Sequence, residues 1–267
     1  MNRTLLSNVI RVALFVIGII ALVETYGFFV LQDWAKAIIP WELNRMAGIF
    51  LSSICAASAL PMLWIALSKQ YAAITGGALN FTIMFAGFAG FSFLVYAANS
   101  KQPVLIFALI CLVSALIIFG IIFFGLHHSF DDSRRVPGIV RISFLTFSIN
   151  LLIAGGLMAF KEPNIFPWQV TIQQSVLYGW IFLGASGYFL YGFLRPVWSN
   201  AYGQLIGFLA YDLVLIFPFI ALFFSNEPFL VPNMLYYIIV LIYSGGLAIY
   251  YLFINKPTRI SFNSSHD

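Results

Sequence analysis

Apolar residues fill this chain in long, nearly unbroken runs. From Val104 to Leu126 it reads VLIFALICLVSALIIFGIIFFGL, with one serine in the whole stretch. Neither the alternation of a half-buried strand nor the stripe of a soluble amphipathic helix is present. Several runs exceed the ~18–20 residues that cross a bilayer core. They predict eight transmembrane helices, at approximately Asn8–Val30, Met46–Leu67, Ala72–Ala97, Pro103–Leu126, Ile139–Phe160, Gln174–Leu194, Ala201–Phe224 and Asn233–Ile254. The breaks carry SKQ, NSKQP, HHSFDDSRRVPG, KEPN, RPVWSN and SNEP, which put Pro, Asn, Ser and charge where helices stop. The first run has the basic start of a signal peptide at Arg3 and Arg11. It continues through VETYGFF without a small-residue cleavage site, and reads as a mature helix.

Composition agrees with the pattern. Of 267 residues, 62% are hydrophobic and 8% charged, where a soluble surface of this size needs about a quarter charged. The expected fold class is an all-α, polytopic helical bundle in a cell membrane, with the lipid bilayer as its first partner. The net charge of +4 comes from scattered loop cations, so nucleic acid is not indicated as a partner. Lys36, Arg45, Lys101 and Lys161 fall on one side and the other nine of the thirteen basic residues on the opposite side. The positive-inside rule then places both termini in the cytoplasm. Cys55 and Cys111 lie inside apolar runs and read as core thiols.

Offsets near 130 recur along the chain. VIRVALF around Arg11 answers IVRISFL around Arg141, Pro40-Trp41 answers Pro167-Trp168, Gly48 answers Gly179, and GALNF at Gly77 answers GFLAY at Gly207. These matches predict two four-helix repeats, residues 1–128 and 139–267, joined by a cytoplasmic linker at 129–138. Four spans per repeat is an even number, so the halves run parallel, related by a pseudo-two-fold axis along the membrane normal. Proline suits a helix start or turn and indole suits the headgroup layer, so each Pro-Trp step is expected as an interfacial entry to the second helix of its half.

The tracts PWQVTIQQSVLYGW from Pro167 and PWELNRMAGIF from Pro40 resemble an uncharacterised family of bacterial multi-pass membrane proteins. That family carries Pro-Trp-x-Leu followed by Thr-Pro-Leu-Thr-Ala-Arg-x-x-Gly. The first copy keeps Arg-x-x-Gly at Arg45 and Gly48; the second keeps Gly179-Trp180 but has Val176 in place of the arginine, and both lack the Thr-Pro-Leu-Thr core. RPVWSNAYGQLIGFLAYDLVLIFP is similar to the family's later region. The resemblance implies a fold and no activity.

Polar side chains at membrane depth need partners, so they lead the search for a site. Asp212 sits about eleven residues into the seventh span, near the bilayer centre. A proton or cation site is one reading. An acid hydrogen-bonded to a neighbouring tyrosine or amide is the favoured one, since no basic residue lies at that depth. Tyr211, Asn150 and Asn80 complete this candidate intramembrane polar site. Thr82 is the repeat equivalent of Asp212, so any such site is asymmetric. Glu24 and Arg45 are expected to form an outer ion pair that pins two helices, the alternative being an anion or lipid site at Arg45. His127 and His128 are adjacent and shallow, and His266 is in the tail; no metal or cofactor is indicated. Arg134 and Arg135 read as topology determinants. Gly203-x-x-x-Gly207, Gly155-Gly156 and Gly245-Gly246 read as close-packing positions, and Pro61 and Pro218 as kinks or hinges.

No phosphate loop, nucleophile elbow, zinc signature or paired acids occur, so catalysis of a soluble-enzyme type is not expected. The function classes left are a carrier-like protein handling a small solute or lipid, towards which the reading leans, and a non-transporting membrane scaffold or interaction partner. The surroundings of Asp212 discriminate between them.

Overall fold

The computed structural model describes residues 3–162, 164–225 and 228–259, so the tail with His266 and part of the SNEP and KEPN breaks lie outside the described residues. The described residues form eight long helices: α1 (Arg3–Phe29), α3 (Arg45–Ser68), α4 (Ile74–Asn99), α5 (Gln102–Leu126), α6 (Gly138–Ala159), α7 (Ile172–Leu194), α8 (Trp198–Phe223) and α9 (Val231–Ile249). A short α2 (Asp33–Lys36) follows α1, and a π-helical stretch, Tyr250–Ile254, extends α9. All eight long helices have the length and hydropathy to cross a membrane, and the protein is a multi-pass integral membrane protein. Except at the start of α1, and with the π-helical stretch counted as part of the last span, every predicted end lies within three residues of the observed one. Local chemistry sets these ends. Asn44 caps α3, its side-chain oxygen accepting from the Ala47 N–H at 2.8 Å. Thr171 and Gln174 form a capping box on α7. Pro103 and Pro232 occupy the first turns of α5 and α9. Lys69 and Ser100 close α3 and α4 in the left-handed conformation.

The closest backbone approaches define two rows of four helices. One row runs α1, α3, α8, α9; the other runs α5, α4, α7, α6. Consecutive helices α3 and α4 barely approach one another, and the same holds for α7 and α8. Within a row, glycines admit the neighbour. A Cβ on Gly155 of α6 would lie 2.8 Å from the Gly179 carbonyl oxygen, and one on Gly207 of α8 would lie 3.2 Å from the Ala57 carbonyl oxygen on α3. Between rows, rings fill the space: Phe50 of α3 lies 4.8 Å from Tyr178 and 5.9 Å from Phe182 of α7, and Phe189 of α7 stacks on Phe208 of α8 at 4.5 Å. Of the paired glycines, Gly155 and Gly245 meet neighbours while Gly156 and Gly246 face open space.

The end of the bundle where α1 begins and the stretch after α9 ends is tied by the linker. Gln70 donates to Asp131 at 2.8 Å, Val136 N–H to the Pro196 carbonyl at 3.1 Å, and Trp198 N–H to the Arg134 carbonyl at 2.8 Å. Arg134 grips the Asp132 carboxylate and also donates to the Pro257 carbonyl beyond α9. Hydrogen bonds from Arg134 hold the Asp132 carboxyl below its ordinary range. A depressed carboxyl contributes stability above its unfolded value and loses it as pH falls through the folded value. Acidification well below pH 4 is therefore expected to release the linker, and limited proteolysis at 131–135 should rise there, whereas D132N should be nicked equally at both pH values.

Candidate functional site

The polar seam at mid-membrane forms between α8 and α9. Tyr237 and Ser244 stand seven residues apart on α9, two turns, and so share one face. That face meets Tyr211 and Asp212, half-way along α8. The Tyr211 and Tyr237 hydroxyls are hydrogen-bonded to one another. Ser244 Oγ lies 3.0 Å from Asp212 Oδ1 and 2.8 Å from the Val240 carbonyl, so one hydroxyl proton faces both acceptors. Asp212 is 5% exposed, and its Oδ2 has no hydrogen-bond partner among the described residues. Gly245 lets the α9 backbone close on that oxygen, since a Cβ there would sit 3.3 Å from it. The ion pairs among the described residues, Lys36–Asp33 and Arg134–Asp132, are both remote from this seam.

An aromatic knot fills the bundle between the seam and the end at which α3, α7 and α9 begin. The connector before α7 sends Phe166 and Trp168 inward, at 1% and 5% exposure. Phe166 lies 4.9 Å from Phe50 and 4.5 Å from Trp168, while Trp168 lies 5.6 Å from Phe219. Tyr178, Phe182, Tyr211 and Tyr237 complete the cluster. The connector is held by hydrogen bonds across the whole end: Leu230 N–H donates to the Pro167 carbonyl at 2.8 Å, Asn44 Nδ2 to the Gln169 carbonyl at 3.1 Å, and Gln174 Nε2 to the Glu42 carbonyl at 2.8 Å. Trp168 Nε1 and the Tyr178 hydroxyl are buried without a partner among the described residues.

This corrects the expectation for the second Pro-Trp step. Trp168 is a core residue because Phe50 and Phe219 supply the surface that its ring covers. Trp41 is half-buried, edge-on to Phe107 of α5 at 5.4 Å and stacked on Phe91 of α4.

The remaining candidates do not converge on Asp212. Asn150 is exposed on the outer side of α6. Asn80 of α4 packs on α7, where a Cβ on Gly184 would lie 2.6 Å from its Oδ1. Glu24 and Arg45 do not pair: Arg45 is exposed at the α3 start, whereas Glu24 lies deeper, within electrostatic reach of Cys55. Ser52 donates to the Thr25 carbonyl at 2.7 Å, and it stands seven residues, or about 10 Å of helix rise, from Arg45. Each of His127 and His128 turns Nδ1 back to a carbonyl of α5, at 2.6 and 2.8 Å, and no group of three metal-binding side chains occurs among the described residues.

Sequence reasoning missed Ser244 and Tyr237, the partners of the seam. Their seven-residue spacing on the helix that follows Asp212's own was the available signal. It also missed Gln204, fully buried and donating to the Tyr188 carbonyl at 2.7 Å, with Gly192 opening the notch that receives it. Comparison of the chain with family models, curated proteins and solved structures gave no match.

Proposed function

We propose that this protein is a non-transporting membrane component, a rigid scaffold or assembly partner with no solute path through its centre. The aromatic knot carries this reading. Phe50, Phe166 and Trp168 pack on one another and Trp168 on Phe219, at the junction of α3, α7, α8 and α9, and a carrier would have to part them. The carboxyl of Asp212 faces a serine and a glycine of the neighbouring helix, and Asn150 and Asn80 point elsewhere. The scaffold is built from two parallel four-helix halves with cytoplasmic termini. Exchanging α1 with α6, α3 with α7, α4 with α8 and α5 with α9 reproduces the set of close helix pairs, which supports that internal symmetry. Kinship with the Pro-Trp-x-Leu family rests on the two Pro-Trp tracts and on the tract that begins at Arg195.

Solvent access at position 212 tests the reading. In a Cys55→Ala, Cys111→Ala background, Asp212→Cys should resist a membrane-impermeant maleimide from both sides of intact membranes. Lys101→Cys, at the exposed turn between α4 and α5, should label from one side and so confirm the folded topology. Rapid labelling at 212 would sink the scaffold reading and promote the second one, a carrier of a small or amphipathic solute. That alternative is favoured by Trp168 Nε1, the Tyr178 hydroxyl and Asp212 Oδ2, which have no partner among the described residues, each a cost of about 1–3 kcal/mol when nothing meets it.

A further inference from the structure

Arg11 lies within the first predicted span, yet its guanidinium reaches the last turn of the neighbouring helix. Its Nε donates to the Ala66 carbonyl at 2.8 Å, two residues before α3 ends at Ser68. This contact sets the depth of Arg11 at the polar turn Ser68–Gln70, so the first turns of α1 overhang the end of α3. A cation at that level sits where lipid headgroups lie. Among the described residues its two Nη groups have no protein partner and no carboxylate pairs with it.

Beside the guanidinium opens a groove of about 490 Å³ lined by Asn8, Arg11, Val12, Phe15, Ala66 and Leu67. Its head is basic and amide-bearing; its wall is apolar and runs towards the membrane interior along Val12 and Phe15. A guanidinium tied by Nε keeps its remaining N–H groups directed outward in a fixed fork, the geometry that binds phosphate oxygens in pairs. Charge and apolar length together match one occupant, an anionic phospholipid with its phosphate on Arg11 and an acyl chain along Phe15 and Leu67.

The counterpart in the second half supplies the contrast. Arg141 likewise donates from Nε to a carbonyl at the end of the next helix, Phe193 at 3.2 Å. Its guanidinium carbon, however, lies 4.7 Å over the Phe193 ring, so one face of the fork is covered by protein.

We propose that the groove between α1 and α3 at Arg11 is a binding site for a single anionic phospholipid, and that Arg141 forms no equal site. It stands whether or not the protein transports a solute. The test uses the full-length protein in micelles with equimolar phosphatidylglycerol and phosphatidylcholine, counting retained lipid by native mass spectrometry. The wild type should retain phosphatidylglycerol over phosphatidylcholine by about five-fold. R11Q should fall to parity, R11K should be intermediate, and R141Q should keep the preference. Leu67 is 65% exposed, so L67E tests the groove without disturbing the core, and it too should fall to parity. If R11Q does not yield monodisperse protein, L67E decides. The proposal is overturned if L67E, or folded R11Q, keeps the wild-type preference, or if R141Q loses as much as R11Q. It is overturned as well if inorganic phosphate at equal concentration displaces the lipid, since the apolar wall would then contribute nothing.

Discussion

Replacing Phe50 by Ala should lower stability by about 3–5 kcal/mol, the cost of emptying a fully buried aromatic site. Phe50 is 0% exposed and touches Phe166, Trp168, Tyr178, Phe182 and Tyr211, which come from the α6–α7 connector, α7 and α8. In a bilayer the lipid tails are as apolar as the ring, so transfer from water contributes little and lost packing contacts dominate. These neighbours cannot collapse into the gap together, because the connector is fixed at both flanks by the Leu230–Pro167 and Asn44–Gln169 hydrogen bonds. Reversible denaturation in bicelles measures the effect, with Leu94→Ala as the comparison, since Leu94 is 72% exposed on the lipid side. Equal losses for the two variants would show that the knot is loosely packed.

Gly179→Val should be nearly as damaging, by about 3 kcal/mol, through overpacking. A Cβ at Gly179 would lie 2.6 Å from the Ala159 amide nitrogen and 2.8 Å from the Gly155 carbonyl oxygen. Both are backbone atoms, which no rotamer change can move aside, so α6 and α7 would have to separate along their contact. Gly156→Val on the same helix pair meets nothing within 4 Å and should be near neutral. Folded yield by size-exclusion chromatography, followed by the same denaturation assay, separates the two. A harmless Gly179→Val would mean that the α6–α7 spacing is not set there.

The contrast between the two glycines shows what the sequence carries and what it does not. Span positions were legible because a bilayer imposes one length and one polarity on every helix; from Met46 on, the span ends fell within three residues once the π-helical stretch after α9 is included. Which helix stands beside which was not legible. In water an apolar stripe points to the core, but here lipid-facing and buried sides are both apolar, as Leu116 and Phe50 illustrate. The same degeneracy hid the fate of Trp168. A Pro-Trp step is equally suitable for an interface and for a turn driven into an aromatic core, and only the three-dimensional neighbours Phe50 and Phe219 decide. Asp212 was legible as a lone acid at depth. Asn80 and Asn150 failed to join it because depth along a helix says nothing about azimuth. The expected Glu24–Arg45 pair failed for the opposite reason: the two lie towards the same end of the bundle but differ in depth by about two turns.

The two-row arrangement places a demand on synthesis. Helix α3 finds its main neighbour outside α1 in α8, as where Gly207 meets Ala57 and Pro61, and α4 finds its own in α7. At roughly 5–20 residues per second, the ribosome delivers Gly207 about 7–30 s after Pro61. During that interval α3 and α4 sit in lipid with their glycine- and aromatic-lined sides unclaimed, each an opening for a mispaired helix. Nascent chains stalled after α5 are the species in which quality-control factors or foreign single-span proteins would find this molecule most adhesive.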